Sequence, residues 1–365
     1  MTTSTKTARR RAAIATIAAT AAALASTILA PPASAAEWDV VASGLDNPRH
    51  LSFRGSTLYV AEAGTGGHGP CIEGPEGDVC LGLSGAITRV RWGKQTRVVT
   101  GLPSLAAEDG SGALGTTDVA VRRGHRYTAT IGLGNDPAVK EELGWRGRRL
   151  GTVIKGAFPH RGPRIYSNIA QFEAHHDPDG LGPDSNPTGM VLRGQRVVLT
   201  DSGGNTLLRV IKGHPSPLAV FDSPGNAPAD MGGFPIQPVP TSVAVGPDGA
   251  FYVSELTGFP FLPGIARIHR VVPGMPSTVY ASGLTNVTDL AWHGDQLYAV
   301  QIADNGLLAG PIGSLVSVDP GGSHGTVAGG LFAPYGVAFN RGAAYVTTCS
   351  VCPDGGEVLR IPIGS

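Results

Sequence analysis

Short apolar segments and glycine hairpins alternate six times along the chain. In each repeat, two apolar positions separated by one residue precede a glycine, and a second apolar segment, usually with a tyrosine, follows it. The six glycines are Gly55, Gly124, Gly194, Gly249, Gly294 and Gly342. Alternating apolar runs on both sides of a glycine turn are typical of β-hairpins. A repeated β-unit buries its apolar faces only against its neighbours, so the pattern predicts a stacked repeat fold.

Most repeats continue into further strands. Third strands are predicted at 86–90, 207–210, 265–268, 315–318 and 358–361, and fourth strands at 98–102, 279–284 and 327–331. Four short antiparallel strands per repeat are typical of propeller blades. The sequence therefore predicts an all-β, six-bladed β-propeller, a fold that resembles the NHL and lactonase propellers.

The two ends of the chain complement each other. The sixth repeat stops after its third strand, at 358–361, whereas an unassigned strand at 40–45 precedes the first repeat and matches the fourth-strand pattern. We expect this N-terminal strand to complete the sixth blade, because closing the ring removes a free sheet edge.

The first 35 residues are typical of a secretory signal peptide. Arg9, Arg10 and Arg11 precede an apolar stretch at 12–30, and a small-residue processing site follows at 31–35. The alternative is a retained membrane anchor. The domains expected are thus a signal peptide at 1–35 and the propeller at 36–365. The protein is expected to be secreted, by either the general or the twin-arginine route.

Composition and charge limit the partners. Residues 36–365 contain 24 Lys and Arg and 28 Asp and Glu, a mild excess of negative charge that argues against nucleic acid and anionic membranes. Apolar residues make up 41%, and 53 glycines and 29 prolines suit a turn-rich β protein. We find no further run long enough to span a membrane, and we expect a monomer.

Four cysteines allow three disulfide connectivities: Cys71, Cys80, Cys349 and Cys352. Export favours disulfides, and the local pairs Cys71–Cys80 and Cys349–Cys352 are the preferred pairing. A cross-link between the two loops, a zinc site and a redox C-x-x-C remain as alternatives.

The long connections fall on one face of the predicted ring. They follow the second and fourth strands, at 63–85, 103–117, 135–150, 173–187, 223–240 and 256–264. Elaborated loops on one side of a rigid scaffold mark a functional face. In the last of these loops, Phe259 and Phe261 either form an exposed contact surface or pack over neighbouring loops.

Acidic and amide residues recur at equivalent strand ends. Glu62, Asp201 and Glu255 end second strands, together with Gln301 and Thr348. Three inner strands are preceded by an asparagine: Asn47, Asn186 and Asn286. In three inner strands, a polar residue stands directly before the first apolar residue: His50, Asp118 and Asp289. We expect all of these to gather near the central channel and regard them as ligand candidates.

Two interpretations of these residues remain open. Carboxylate and amide oxygens on one axis could bind Ca²⁺, with Glu62, Asp201 and Glu255 as metal ligands. Such a metal could polarise a carbonyl and activate water. Alternatively, the side chains cap turns and backbone amides, with Arg49 available as a counter-charge.

A second acidic stretch lies at 177–184 (DPDGLGPD). It resembles half of a calcium loop but lacks the terminal bidentate glutamate. We interpret it as a surface loop, with Ca²⁺ binding as the alternative. The preceding His175 and His176 are expected to be solvated.

Signals for nucleophilic or nucleotide chemistry are missing from the sequence. It contains no G-x-S-x-G elbow, no P-loop and no dinucleotide fingerprint.

Five segments resemble the ScyD/ScyE family of secreted bacterial proteins. They are DSNP at 184–187, TDSGGNTLLRV at 200–210, PTSVAVGPDG at 240–249, ELTGFPF at 255–261 and GLTNVTDL at 283–290. The resemblance covers essentially all of 36–365 and implies a six-bladed propeller without an established activity. The segment TATIG at 128–132 departs from the pattern because it lacks the acidic residue.

The leading hypothesis is a non-catalytic binding or scaffold module that uses the loop-rich face. Its partner would be a small molecule or a cell-envelope protein. The alternative is a Ca²⁺-type lactone or ester hydrolase with a central carboxylate and asparagine cluster. By gene-cluster analogy only, an oxidoreductase or a pigment-pathway enzyme is a third possibility.

Overall fold

The structure is a computed structural model that describes residues 38–74 and 77–363. The predicted signal peptide lies outside the described residues. No helix in the described part of the chain is long and apolar enough to cross a membrane.

Six antiparallel sheets form the blades of a β-propeller. The chain begins with β1 (Asp39–Leu45), which belongs to the last blade. Blade 1 contains β2 (Pro48–Arg54), β3 (Thr57–Glu62), β4 (Cys71–Gly74), β5 (Gly77–Arg91) and β6 (Lys94–Ala106). Blade 2 contains β7 (Thr116–Arg122), β8 (Arg126–Ile131), β9 (Thr152–Ala157) and β10 (Arg161–Asn168). Blade 3 contains β11 (Pro187–Arg193), β12 (Arg196–Asp201), β13 (Thr206–Ile211) and β14 (His214–Val220).

The remaining three blades follow the same plan. Blade 4 contains β15 (Pro240–Val245), β16 (Phe251–Glu255), β17 (Ala266–Val271) and β18 (Thr278–Leu284). Blade 5 contains β19 (Val287–His293), β20 (Gln296–Gln301), β21 (Ile312–Ser317) and β22 (Gly325–Phe332). Blade 6 contains β23 (Val337–Asn340), β24 (Ala343–Thr348), β25 (Gly356–Pro362) and β1. The predicted six-bladed, all-β fold is confirmed.

The ring closes as the sequence predicts. Strand β1 pairs antiparallel with β25, with Val40 opposite Leu359 and Ala42 opposite Val358. The Gln95 side chain in blade 1 holds Ser43 of β1 by two hydrogen bonds to its backbone, at 2.8 and 3.1 Å. The closing strand therefore contacts both the last blade and the first.

Four strands and two helices were not predicted. Strand β4 and the first half of β5 lie in the segment 63–85, which was expected to be a connection and instead forms a hairpin. Strands β9, β10 and β14 lack a clear apolar alternation, and only one of the eight residues of β10 is buried. Two helices of eight residues, α1 (Lys140–Gly147) and α2 (Ile169–His176), lie in the connections of blade 2 and between blades 2 and 3. Short 3-10 turns occur at Arg123–His125, Pro137–Val139, Ala229–Met231 and Leu307–Ala309.

The core consists of apolar layers between adjacent blades. Between blades 1 and 2, for example, Tyr59 and Ile87 pack with Val119 and Tyr127 in one buried cluster. Fully burying a side chain of this size stabilises the fold by about 1.5–3 kcal/mol. Each blade therefore depends on its neighbour, which is why the repeats form a closed ring.

Both predicted local disulfides are present. Cys71 and Cys80 lie opposite each other in the β4–β5 hairpin. Cys349 and Cys352 close the turn after β24, where the Cys352 carbonyl oxygen accepts the Asn47 N–H at 2.9 Å. Disulfides in these positions are compatible with an extracellular protein.

Candidate functional site

Three of the predicted channel residues meet at the axis of the propeller. His50, Asp118 and Asp289 occupy equivalent positions on the inner strands β2, β7 and β19. They line one cavity of about 310 Å³ with residues from the inner strands of all six blades. His50 Nε2 lies 3.6 Å from Asp289 Oδ1. Their shared register brings these residues to one cavity from blades 1, 2 and 5.

His50 connects three blades across this axis. Its Nδ1 lies 3.0 Å from the carbonyl oxygen of Thr117, and its Nε2 lies 3.2 Å from the carbonyl oxygen of Thr288. The His50 ring therefore lies between the inner strands of blades 2 and 5, with one nitrogen directed at each.

The two axial aspartates also hold the inner strands together. Asp118 accepts hydrogen bonds from the backbone N–H groups of Val119 and Met190, at 2.6 and 2.7 Å. Asp289 accepts the N–H of Val337 on the next blade at 2.7 Å. Burial raises the pKa of Asp118 to about 6 and also raises the pKa of Asp289, while His50 opposes both shifts. These carboxylates therefore serve as inter-blade acceptors.

The three predicted metal ligands lie on different blades, and the structure does not bring them together. Glu62 is fully buried and accepts hydrogen bonds from the Asp46 N–H at 2.9 Å and from Arg97 Nη2 at 2.7 Å. Arg97 Nε adds contacts at 3.1 and 3.2 Å. Arg97 therefore balances the charge of Glu62 within blade 1.

Glu255 and Asp201 are likewise engaged within their own blades. Glu255 is bonded by Arg267 Nη2 and by His269 Nε2, both at 2.7 Å. Asp201 accepts the Asn186 N–H at 2.5 Å and the Ser185 hydroxyl at 2.8 Å. Burial raises the pKa of Asp201 to about 7.

The three asparagines tie loops to strands. Asn47 Nδ2 donates to the carbonyl oxygens of Gly64 and Gly110, at 2.8 and 2.9 Å. Asn186 Oδ1 accepts the Leu133 N–H at 3.2 Å. Asn286 Nδ2 donates to the Leu256 carbonyl oxygen at 2.7 Å. In each case the amide serves a backbone partner, as the capping interpretation expects.

A different group of carboxylates does come together. Glu173, Asp177 and Asp179, called the acidic cluster below, each place a possible ligand atom within 4.8 Å of the others. Among the described residues, no other group of three or more His, Cys, Asp or Glu side chains has that spacing. A buried acidic cluster of this kind could hold a metal ion.

Helix α2 positions the central member of the cluster. Asn168 caps the helix by accepting the Gln171 N–H at 3.2 Å, and Asp177 ends it by donating its N–H to the Glu173 carbonyl oxygen at 2.9 Å. Glu173 is fully buried, and neither of its carboxylate oxygens has a hydrogen-bond partner in the described part of the chain. An unpartnered buried carboxylate is costly, so this arrangement needs a positive partner or a proton.

The surroundings of Glu173 are uniformly negative. Burial is the main reason that its pKa rises to about 8, and the charges of Asp201, Asp179, Asp177 and Asp184 raise it further. The turn at Gly204 is fitted closely to the carboxylate, since a Cβ on Gly204 would lie 2.5 Å from a Glu173 oxygen. The site is therefore shaped around a carboxylate whose charge no basic side chain of the described residues balances.

Aromatic side chains are exposed on the loop-rich face. Phe234 and Phe259 stack at 6.2 Å between ring centroids, and Phe261 meets Phe259 edge-on at 6.3 Å. Phe259 is 51% exposed and Phe234 is 38% exposed. These three residues, called the aromatic patch below, come from two adjacent loops.

Sequence reasoning missed several partners that only tertiary contacts reveal. Arg97 and Arg267 neutralise the buried glutamates, whereas Arg49, the expected counter-charge, donates to the Ala113 carbonyl oxygen at 2.6 Å and stacks on Tyr335. Glu173 was also missed. The sequence carries no clear signal for it, because helix α2 has eight residues and Asp177 lies just past its end.

No family model matches the sequence, and no curated protein matches it either. Solved structures do match. A glucose dehydrogenase superimposes with a TM-score of 0.54 and 12% identity, over 90% of this chain and 99% of that chain. An oxidoreductase (glucose dehydrogenase) from Thermus thermophilus has a TM-score of 0.53 and 17% identity, over 89% of this chain and 99% of that chain. A virginiamycin B lyase from Staphylococcus aureus has a TM-score of 0.47 and 10% identity, over 87% of this chain and 96% of that chain. At such identities, the two glucose dehydrogenases show a shared propeller fold and no more.

Proposed function

We propose that this protein is a secreted, monomeric binding module of the ScyD/ScyE type that recognises its partner through the aromatic patch. The observation that carries the proposal is the exposure of Phe234 and Phe259 on the face where the long loops lie. Aromatic residues are enriched at protein interfaces and dominate binding energy there.

The backbone holds the aromatic patch in place. The N–H groups of Leu256, Thr257 and Gly258 donate to the carbonyl oxygens of residues 237–239, at 2.8–3.0 Å. Thr257 and Phe261 adopt positive φ angles, 68° and 58°. Side-chain-bearing residues in this conformation cost free energy, and such strain tends to be retained at functional sites. A preordered aromatic surface loses little entropy on binding.

The axial residues give the hydrolase alternative less support. Glu62 and Glu255 are paired with arginines, and Asp118 and Asp289 accept backbone N–H groups. A catalytic metal needs carboxylate oxygens that converge on a single open position. The capped arrangement favours a binding role over a metal-dependent lactone or ester hydrolase.

The partner proposed is a protein of the cell envelope with an apolar surface. Met231, which is 45% exposed on the same loop as Phe234, extends the apolar surface. The two disulfides suit an oxidising extracellular space, where envelope proteins are the accessible partners.

Co-sedimentation with the envelope fraction of the producing cells in about 1 M NaCl tests this proposal, because a Debye length of about 3 Å screens charge-based binding through other surfaces. We compare wild type with the double variant Phe234→Ser/Phe259→Ser and with Trp92→Ser as a matched control. Trp92 is 80% exposed at the β5–β6 turn, on the opposite face. Loss of sedimentation in the double variant, with retention in the control, supports the proposal.

Two results would contradict it. Equal sedimentation of all three proteins would remove the aromatic patch from the interface. Metal-dependent hydrolysis of lactones or esters, lost on removal of the axial carboxylates and unaffected by the double variant, would establish the alternative.

A further inference from the structure

The acidic cluster offers oxygen ligands only. The neighbouring His175 and His176 direct their Nδ1 atoms to backbone oxygens of their own helix, at 2.6 and 2.9 Å. They are therefore engaged away from the cluster. Oxygen-only sites suit hard cations, and Ca²⁺ tolerates irregular carboxylate arrangements better than Mg²⁺, which demands octahedral geometry.

We propose that the acidic cluster binds one Ca²⁺ ion, with Glu173 as its central ligand. Both Glu173 oxygens and Asp177 Oδ1 are buried without hydrogen-bond partners in the described part of the chain. Backbone N–H groups hold the two aspartate side chains in place. Asp177 Oδ2 accepts the Gly182 N–H at 3.2 Å, and Asp179 Oδ1 accepts the Leu181 N–H at 3.0 Å. The loop thus fixes the carboxylates while leaving oxygens free.

A hydrogen-bonded path joins this cluster to the aromatic patch. Asn205 Nδ2 donates to Asp179 Oδ2 at 2.7 Å and to Gln237 Oε1 at 3.1 Å, and Asn205 Oδ1 accepts the Val239 N–H at 3.2 Å. Residues 237–239 in turn hold the loop that carries Phe259. Ca²⁺ binding should therefore further restrain the loops that carry the patch. This consequence rests on the proposed function, whereas the metal site itself does not.

Calorimetric titration of the chelator-treated protein with CaCl₂ tests the site. We expect one Ca²⁺ per chain and a higher melting temperature with Ca²⁺, because a ligand that binds only the native state stabilises it. Glu173→Gln should abolish binding, yet melt no lower than chelated wild type, since it removes charge repulsion. Glu141→Gln, an exposed acid on α1, is the matched control and should bind as wild type does.

The outcomes separate the metal site from its proposed consequence. No heat of binding in wild type, or unchanged binding in Glu173→Gln, would overturn the site. Hydrogen exchange provides the second readout: slower exchange across 223–264 with Ca²⁺ supports coupling to the patch. Binding with unchanged exchange there would leave the site standing and refute the coupling, independently of the sedimentation result.

A second, independent feature is the charge of the face opposite the long loops. In blades 1–3 the hairpin segments are 53–58, 89–96, 121–127, 155–164, 192–197 and 209–216. Together they contain 14 Lys and Arg and no Asp or Glu. None of these cations lies within 4.0 Å of a carboxylate in the described part of the chain. We call this surface the basic face.

The average charge of the chain conceals this asymmetry. Residues 36–365 contain 24 Lys and Arg, of which 14 belong to the basic face. The remaining positions therefore contain ten Lys and Arg and all 28 Asp and Glu. The hairpins of blades 4 and 5, by contrast, include Asp248, Asp295 and Asp319. Unpaired like charges gathered on one surface attract anions and steer their approach.

Two clefts concentrate the positive charge. One, of about 420 Å³, lies between blades 2 and 3 and is lined by six cations and by no acidic residue of the described chain: Arg122, Arg126, Lys155, Arg161, Arg164 and Arg196. The other, of about 330 Å³, is lined by Arg54, Arg89, Arg91 and His125. Arginine binds phosphate groups in a bidentate manner.

We propose that the basic face binds an extended phosphodiester polymer of the cell surface, linked through polyols or sugars. The two clefts adjoin at the 122–126 turn, and such a pair of cationic clefts suits a chain with repeated anions better than a single small anion. Base stacking has little support, because Arg91 and Lys155 already lie over the rings of Trp92 and Tyr166, at 3.8 and 3.1 Å. This proposal is independent of the aromatic patch.

Binding to immobilised poly(glycerol phosphate) over a range of salt concentrations tests the proposal. We expect binding that weakens steadily with salt. Arg122→Ser/Arg126→Ser/Arg164→Ser should weaken it at least about tenfold, because each arginine contributes a charge-assisted contact. The control carries the same loss of charge elsewhere, Arg146→Ser/Arg148→Ser/Arg360→Ser, and should bind within about twofold of wild type.

Three results would overturn the proposal. One is a lack of binding to the polymer by wild type. Another is equal weakening in both triple variants, which would indicate general attraction without a defined surface. The third is tighter binding to duplex DNA or to phosphatidylglycerol vesicles than to the polymer, which would assign the basic face to a different ligand class.

Discussion

Arg97 connects the closing strand to blade 1, and its loss provides a sharp test of how the ring is held together. Arg97 Nη2 donates to Glu62 Oε2 at 2.7 Å, to Asp46 Oδ2 at 2.9 Å and to the Gly44 carbonyl oxygen at 3.3 Å. Arg97→Met keeps the apolar stem and removes the charge, which leaves the fully buried Glu62 without its cation.

The expected cost follows from the geometry. Removing one partner of a buried ion pair typically costs about 3–5 kcal/mol. The Arg97 side chain is 39% exposed, so solvent weakens the pair. Glu62 also keeps its bonds from the Asp46 N–H and the Thr88 hydroxyl. We therefore expect Arg97→Met to lower the free energy of unfolding by about 2–3 kcal/mol.

A double-mutant cycle identifies the cause. Glu62→Gln in the Arg97→Met background removes the stranded charge and retains an acceptor for Asp46, so it should recover stability to within about 1 kcal/mol of wild type. Urea unfolding followed by tryptophan fluorescence measures all four proteins. A loss below about 0.5 kcal/mol in Arg97→Met, or additive losses in the double variant, would refute the reasoning.

Three further predictions concern stability. Asp118 has a pKa of about 6 in the native state, against an ordinary 3.8. Its contribution to the free energy of unfolding is therefore greatest below pH 3.8. It then falls by about 3 kcal/mol as the pH rises to 6, so the stability difference between Asp118→Asn and wild type should change across this range. The Tyr127 hydroxyl is buried without a partner in the described part of the chain. Tyr127→Phe should therefore leave the urea midpoint unchanged or raise it, by up to about 1 kcal/mol of stability. Cys71→Ser/Cys80→Ser should lower the free energy of unfolding by about 2–3 kcal/mol, and an unchanged midpoint would contradict that role.

The blade pattern could be predicted where strands are buried on both faces. Strand β8 (Arg126–Ile131) is buried in all but its first residue, and its apolar sequence identified it. Strand β10 (Arg161–Asn168) has only one fully buried residue among eight, so hydrophobic periodicity carried no signal there. The closing strand was predictable because an incomplete last repeat and an orphan first strand require each other.

The candidate sites were predictable only in part. Equivalent registers bring His50, Asp118 and Asp289 to one cavity, because inner strands share one geometry. The partners of Glu62 and Glu255 come from residues on outer strands, whose side-chain directions the sequence pattern does not define. Glu173 depends on a two-turn helix, which is too short to show helical periodicity.

Site-specific photo-crosslinking tests the central claim most directly. A photoreactive phenylalanine analogue replaces Phe259 in one protein and Trp92 in another, and each is irradiated with the envelope fraction. The proposed function predicts a discrete protein adduct from position 259 and none from position 92. Adducts absent at position 259, or equal at the two positions, would contradict a binding role for the aromatic patch.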